Sequence, residues 1–381
     1  MRPRWKLTID PQDHNSSEPV ASDSPSLPAQ IQNNQAEEME LEESMDSQDQ
    51  GNNGADHGAI SKLMAAWTVA YDSLPEHHDY EDSILPQSIP ILLSELANDK
   101  LSANKLQHAL TEQTESIRAQ ISLKQMSASD RARTLSTSNS GSAAPFTCSP
   151  TSEATTLPPA AVSSAAQYRI GTLKMDCRLC ACGKSVTTPS HVLSCKKLRG
   201  RFVRHDCIVN VLMKACNRAG IAVTREVMVI NGTQKRMDLV LHFPTGRVWV
   251  DVSIVNPQAK SYVGCDGRER REREKQGKWG MHAMKLKVTF VPFILDTFGA
   301  MGVLASKLLA RIAGSARHCT PIPLGTNPAV WIGKYRREIV ERLTVALAYA
   351  NHCMIEEAAM KAVSPNVDVS EMYKGLRKMW W

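Results

Sequence analysis

The stretch RMDLVLHFPTGRVWVDVSIVNP, residues 236–257, decides how the rest of the chain is read. MDLVLHF is rich in β-branched and apolar residues, PTG signals a turn, and RVWVDVSIV resumes the strand pattern. The pair reads as a hairpin. Each strand carries one carboxylate, Asp238 and Asp251, with twelve residues between them. Strands of this kind usually exclude charge. A single Asp in such a place is most simply a residue capping local backbone. Two carboxylates brought to the same end of a hairpin repel unless a cation bridges them. Mg²⁺ (or Mn²⁺) suits that role, because it takes oxygen ligands, keeps waters and can activate one of them.

The flanking sequence extends the sheet. CKKLRGRFVRHDCIVNVLMKACNRAG, residues 195–220, reads as an amphipathic helix closed by Gly220, and IAVTREVMVI as a strand before an NGTQ turn. GRERREREKQGKWGMHAMKLK is a charged helix, VTFVPFIL a further strand and GAMGVLASKLLARIAG a helix. The order α-β-β-β-α-β implies an α/β (α+β) fold, a mixed sheet flanked by helices. Lys275 and Lys278 stand three apart on the charged helix and are expected to share a face. A cation there would orient a water and stabilise charge on a phosphoryl oxygen. The ordinary alternative is a solvated helix laced with Glu–Arg pairs.

The ten cysteines of the chain are unevenly placed. Cys177, Cys180, Cys182 and Cys195 fall within nineteen residues, together with His191. MRPRWKLTID lacks the apolar run of a secretory leader, and no stretch of eighteen apolar residues is present. The cysteines therefore read as Zn²⁺ ligands in a reducing compartment rather than as disulfides. Five candidates compete for four tetrahedral positions.

The remaining chain divides by composition. Residues 1–58 read as a disordered acidic tail; AEEMELEESMDSQDQ within it has seven carboxylates and no Lys or Arg. Residues 59–128 read as a helical connector, 129–163 as a Ser/Thr/Pro-rich linker and 164–196 as the zinc knuckle. The sheet and its helices occupy 197–316, and 317–381 reads as a C-terminal helical extension. The net charge of +6 includes this acidic tail, so the body is more basic than the average and suited to a polyanion.

Together these motifs resemble the PD-(D/E)xK restriction-like endonuclease domain of site-specific non-LTR retrotransposon proteins. The likeness covers about residues 160–316 and rests on the knuckle, RHD at 204–206, MD at 237–238, Asp251 and REKQGKW at 273–279. It implies Asp238 and Asp251 as Mg²⁺ ligands and Lys275 as the catalytic lysine, moved from strand to helix. Ser253 then stands where other members of the wider fold place that lysine. The resemblance gives Arg204, His205 and Asp206 a DNA-contact or site-supporting role. Glu226 would support the metal shell or be a surface residue, and Lys278 would assist Lys275. It selects Cys180, Cys182, His191 and Cys195 for zinc, with Cys177 in place of Cys182 as the alternative. Met237 departs from the family's proline. The chain has no Asp-Asp dipeptide and so lacks a reverse-transcriptase box; it resembles the C-terminal part of such a protein, a fragment, remnant or domesticated copy. The implied activity is nicking of DNA to leave a 3′-hydroxyl, in the nucleus (or in cytoplasm and nucleus). The implied partner is DNA, or DNA with element RNA, and neither membrane nor small-molecule substrate is implied. The rival expectation is a catalytically inert zinc-containing nucleic-acid-binding or structural remnant.

Overall fold

The computed structural model describes residues 118–175, 179–186, 188–229, 236–319 and 321–380. The acidic tail, most of the 59–128 connector and Cys177 lie outside the described residues. Everything described belongs to one compact unit, Thr111–Trp381.

The hairpin of the opening stretch is present. β2 (Arg236–Phe243) and β3 (Gly246–Val255) pair antiparallel, with Leu239 opposite Val250 and Phe243 opposite Gly246. Gly246, at φ +128°, allows a turn only two residues long. β1 (Ala222–Met228) adds antiparallel to β2. β4 (Thr289–Asp296) adds parallel to β3, giving a four-stranded mixed sheet in the order β1-β2-β3-β4. A parallel neighbour needs a crossover, and α5 (Gly267–Lys285) supplies it. Pro292 donates no hydrogen bond, which an edge strand such as β4 tolerates.

Alternation along the strands feeds two cores. Leu239, Leu241, Val248, Val250, Val252, Phe293 and Leu295 face the main core. There they meet α4 (Gly200–Arg218), α6 (Val303–Ala316) and the 36-residue α7 (Pro328–Val363). Val240, Trp249 and Phe290 face the other way, onto Trp279 and Ala283 of α5. The sheet is therefore sandwiched between helices.

Two boundaries differ from the sequence reading. Residues 129–163 are not a linker: they hold α1 (Ala128–Thr137), a turn of helix at Ala144–Thr147 and the start of α2 (Pro159–Ile170). Their fully buried contacts are small, Ala161 and Ser142, so the composition of a loop here serves close packing against α7. Nor is 317–381 an appendage. Tyr335, Leu343, Val345, Leu347 and Cys353 of α7 and Tyr373 and Leu376 of α8 (Ser370–Trp380) belong to the main core. Among the described residues no helix is long and apolar enough to cross a membrane.

Candidate active site and candidate metal centre

Asp251 follows the α5-facing positions of β3, one residue after Val250 of the main core. α5 crosses above it and brings Lys275 and Trp279, four apart and so on one helix face. Lys275 Nζ donates to both carboxylate oxygens of Asp251, at 2.7 and 2.8 Å. Trp279 Nε1 donates to Oδ2 at 2.9 Å. The carboxylate is buried at 8% exposure and is compensated by a cation and a neutral donor. Lys278 is exposed, with its ammonium 4.7 Å from the Trp279 ring centroid.

Asp238 would oppose Asp251 if the hairpin register continued, but the ladder ends at Leu239–Val250. The Asp238 carboxylate takes up the freed donor instead, Oδ2 accepting from Val252 N–H at 2.6 Å. The β1 side is interrupted at the same level. The β1–β2 ladder skips Glu226, which holds the left-handed φ of +51°, unusual for a residue bearing a Cβ. The local break explains how a charge sits in an apolar strand: its Oδ2 meets a backbone donor the ladder has released.

The helix motif divides three ways. His205 Nε2 lies 3.3 Å from Asp238 Oδ2 and its Nδ1 lies 3.5 Å from Asp206 Oδ1. Burial works against the imidazolium, but these two carboxylates outweigh it and push His205 up to about 9. Burial likewise works to raise the Asp238 carboxyl; the His205 hydrogen bond and charge, the Val252 N–H and the Lys275 charge bring it below its ordinary value. Arg225 of β1 closes the chain, donating to Asp206 at 3.1 Å and to Asn210 at 2.8 Å. Arg204 points elsewhere. It is 3% exposed and donates to Asn351 Oδ1 and to the Leu193 carbonyl, and burial pulls it down to about 10. A guanidinium so enclosed supports the fold and does not reach a phosphate. Of the other expected residues, Glu226 pairs at 3.6 Å with Arg225 and with Arg236 at the surface. Ser253 accepts from Arg271 Nε at 3.1 Å, so an arginine of α5 stands over the position where the wider fold has a strand lysine.

The knuckle gathers its ligand atoms. One ligand atom from each of Cys180, Cys182, His191 and Cys195 lies within 4.8 Å of all the others, a cluster that could hold a metal such as zinc. Cys180 and Cys195 sulfurs are 3.5 Å apart, and Cys182 Sγ is 3.2 Å from His191 Nε2. Tetrahedral Zn–S bonds of about 2.3 Å give S···S edges of roughly 3.8 Å, so the cluster is close to the required size. A turn closed by Gly183 N–H to Cys180 C=O places the first two cysteines. α3 (Pro189–Ser194) carries His191 and ends at Cys195, one helical turn on. The Lys184 N–H pulls the Cys182 thiol down, and burial pulls His191 down toward the neutral form a metal needs. Burial pushes Cys180 up to about 12, so a bound cation's charge would be needed to ionise that thiol. The knuckle is clamped to the sheet: Asn256, just past β3, donates to Ser190 O, Ser190 Oγ and Ser194 Oγ at 2.7–3.1 Å.

Trp279, Arg225, Arg271 and Asn256 were not singled out by sequence reading. The Lys275–Trp279 spacing signalled a shared face; the other three come from distant segments and carry no local signal. Protein-family models give no match to this chain, and a search of curated proteins finds no similar sequence.

Proposed function

We propose that this chain is a metal-dependent DNA endonuclease that hydrolyses one phosphodiester and leaves a 3′-hydroxyl, acting in the nucleus. One observation carries the reading: Lys275 Nζ donates to Asp251, and the Asp238 carboxylate of the adjacent strand accepts from the N–H of Val252, the residue after Asp251. The resemblance to retrotransposon restriction-like nucleases agrees with it. Asp238 and Asp251 are the oxygen ligands, and a bound Mg²⁺ or Mn²⁺ would supply an activated water and charge neutralisation there. Lys275 is placed to meet the negative charge that develops on a phosphoryl oxygen at this site. His205 keeps Asp238 ionised, and Trp279 holds Asp251 in orientation. Cys180, Cys182, His191 and Cys195 would hold a structural Zn²⁺, which would fix the start of α4 relative to β3.

A second reading is an inert zinc-containing nucleic-acid-binding remnant. It is favoured by one fact: among the described residues the cysteine–histidine quartet forms a close group of ligating side chains, and no such group of three or more includes Asp238 or Asp251. Nicking of supercoiled plasmid decides between them. Wild type is expected to nick with Mg²⁺ or Mn²⁺, and Asp251→Ala, Asp238→Ala and Lys275→Ala are expected to lose at least 100-fold. Protein that binds DNA but nicks at no concentration of either ion establishes the second reading.

A further inference from the structure

Positive charge on this surface is unevenly committed. On α5, Arg270 and Arg271 pair with Glu274, and Arg273 with Glu269. That helix is largely the solvated ion-pair ladder its sequence allows. Lys196, Lys197 and Arg201, by contrast, form no ion pair among the described residues. Phe202, next to Arg201 and five residues after Lys197 in sequence, leaves its ring in water at 60% exposure, with the Arg201 guanidinium 5.0 Å from the ring centroid. Phe202 is three residues before His205 and four before Asp206, so all three share a side of α4. Three residues advance the axis by about 4.5 Å, which puts the exposed ring one turn from the imidazole that touches Asp238.

We propose that Phe202 and Arg201, with Lys196 and Lys197, form a base-stacking subsite for an unpaired DNA nucleotide beside the phosphate presented to Asp238 and Asp251. The uncommitted cations select a polyanion. The ring selects bases, because only an unpaired base offers its face; a duplex presents edges and backbone to such a surface. The subsite's place next to the scissile phosphate rests on the nuclease reading above, but its affinity for single strands does not.

The test uses the full-length, zinc-loaded chain without added Mg²⁺ or Mn²⁺. The probes are a single-stranded deoxyoligonucleotide containing 2-aminopurine, its duplex and the matching ribo-oligonucleotide. Phe202→Ala is expected to weaken single-strand binding about tenfold and to abolish the 2-aminopurine quenching, with less than about a twofold effect on the duplex. Phe202→Tyr is expected to restore both. Lys196→Ala, Lys197→Ala and Arg201→Ala are each expected to lower the salt slope by about 0.7. Equal binding by Phe202→Ala, with the circular-dichroism melt unchanged, overturns the subsite even if the protein nicks. Tighter binding of the ribo-oligonucleotide overturns its assignment to DNA. If the Phe202-dependent single-strand preference appears in protein that never nicks, the subsite stands and the nuclease reading falls.

Discussion

Trp279 has a ring buried among Met237, Val240 and Trp249, and an N–H aimed at Asp251. Trp279→Phe separates these roles. It should cost about 1 kcal/mol in stability, from the lost hydrogen bond and ring volume. Nicking should fall roughly 10- to 100-fold, as when a group supporting a metal ligand is removed. Denaturant melts and plasmid nicking on the same preparation check this, and unchanged nicking would count against a positioning role. Glu226 tells the opposite story. Its left-handed backbone costs about 1–2 kcal/mol relative to glycine, less the flexibility glycine adds to the unfolded chain. Glu226→Gly should therefore stabilise by about 0.5–1 kcal/mol, read as a higher denaturation midpoint. Asp296, at the end of β4, is 1% exposed; Oδ1 accepts from Phe298 and Ala300 N–H, and Ser136 also acts on the carboxyl. Burial raises it from 3.8 to about 6, the Arg268 charge offsetting part of the effect. A carboxyl raised on folding contributes stability below pH about 4 and loses it as pH rises through about 6. Between pH 4 and 6.5 the wild type should lose about 2–3 kcal/mol relative to Asp296→Asn, measured by urea denaturation across that range.

At the scale of elements, α4 carries the motif residues yet has no side-chain cap of its own. Glu357 of α7, fully buried, supplies it: its carboxylate accepts from Arg199 N–H at 3.0 Å and Gly200 N–H at 2.8 Å. Tyr373 Oη and Lys361 Nζ complete its shell at 2.6 and 2.8 Å. The anion also faces the positive end of the helix. Gly200 is required by proximity, since a Cβ there would run into Tyr373 Oη and Met354 Cγ. Gly200→Ala should destabilise by about 1–3 kcal/mol, seen as a lowered thermal midpoint, and an unchanged midpoint would mean α4 and α7 sit farther apart. The knuckle is a second such joint. Its apolar residues Val192, Leu193 and Leu198 pack on Met354, Ile355 and Ala358, so a strong zinc chelator should lower the melting temperature of the whole unit and not just loosen a local loop.

At the scale of the molecule, α7 makes the sheet, the knuckle and the 128–170 helices one body, contributing to both the main core and the knuckle core. Chains ended at residue 316 should not fold, because Leu343, Val345, Ala346 and Leu347 leave the core together. A sharp two-state melt from such a truncation would show the sheet to be self-sufficient.

The sequence alone specified the four strands and the crossover helix, and it placed Cys180, Cys182, His191 and Cys195 among the candidate ligands of a cluster that could hold a metal. Each of these is a local pattern: alternation, turn residues, or spacings of three and four. It did not show that 129–163 packs as helices or that the helical extension at 317–381 joins the main core, where small side chains or a long helix carry burial that depends on which neighbour arrives. Tertiary structure alone decided that Arg204 faces inward and His205 faces Asp238. It also decided that Arg225, Asp206, His205 and Asp238 form one line of contacts from β1 to β2, and that Lys275 and Trp279 of α5 meet at Asp251. Those roles are set by hydrogen bonds between segments tens of residues apart, and no periodicity along a chain encodes where two such segments meet.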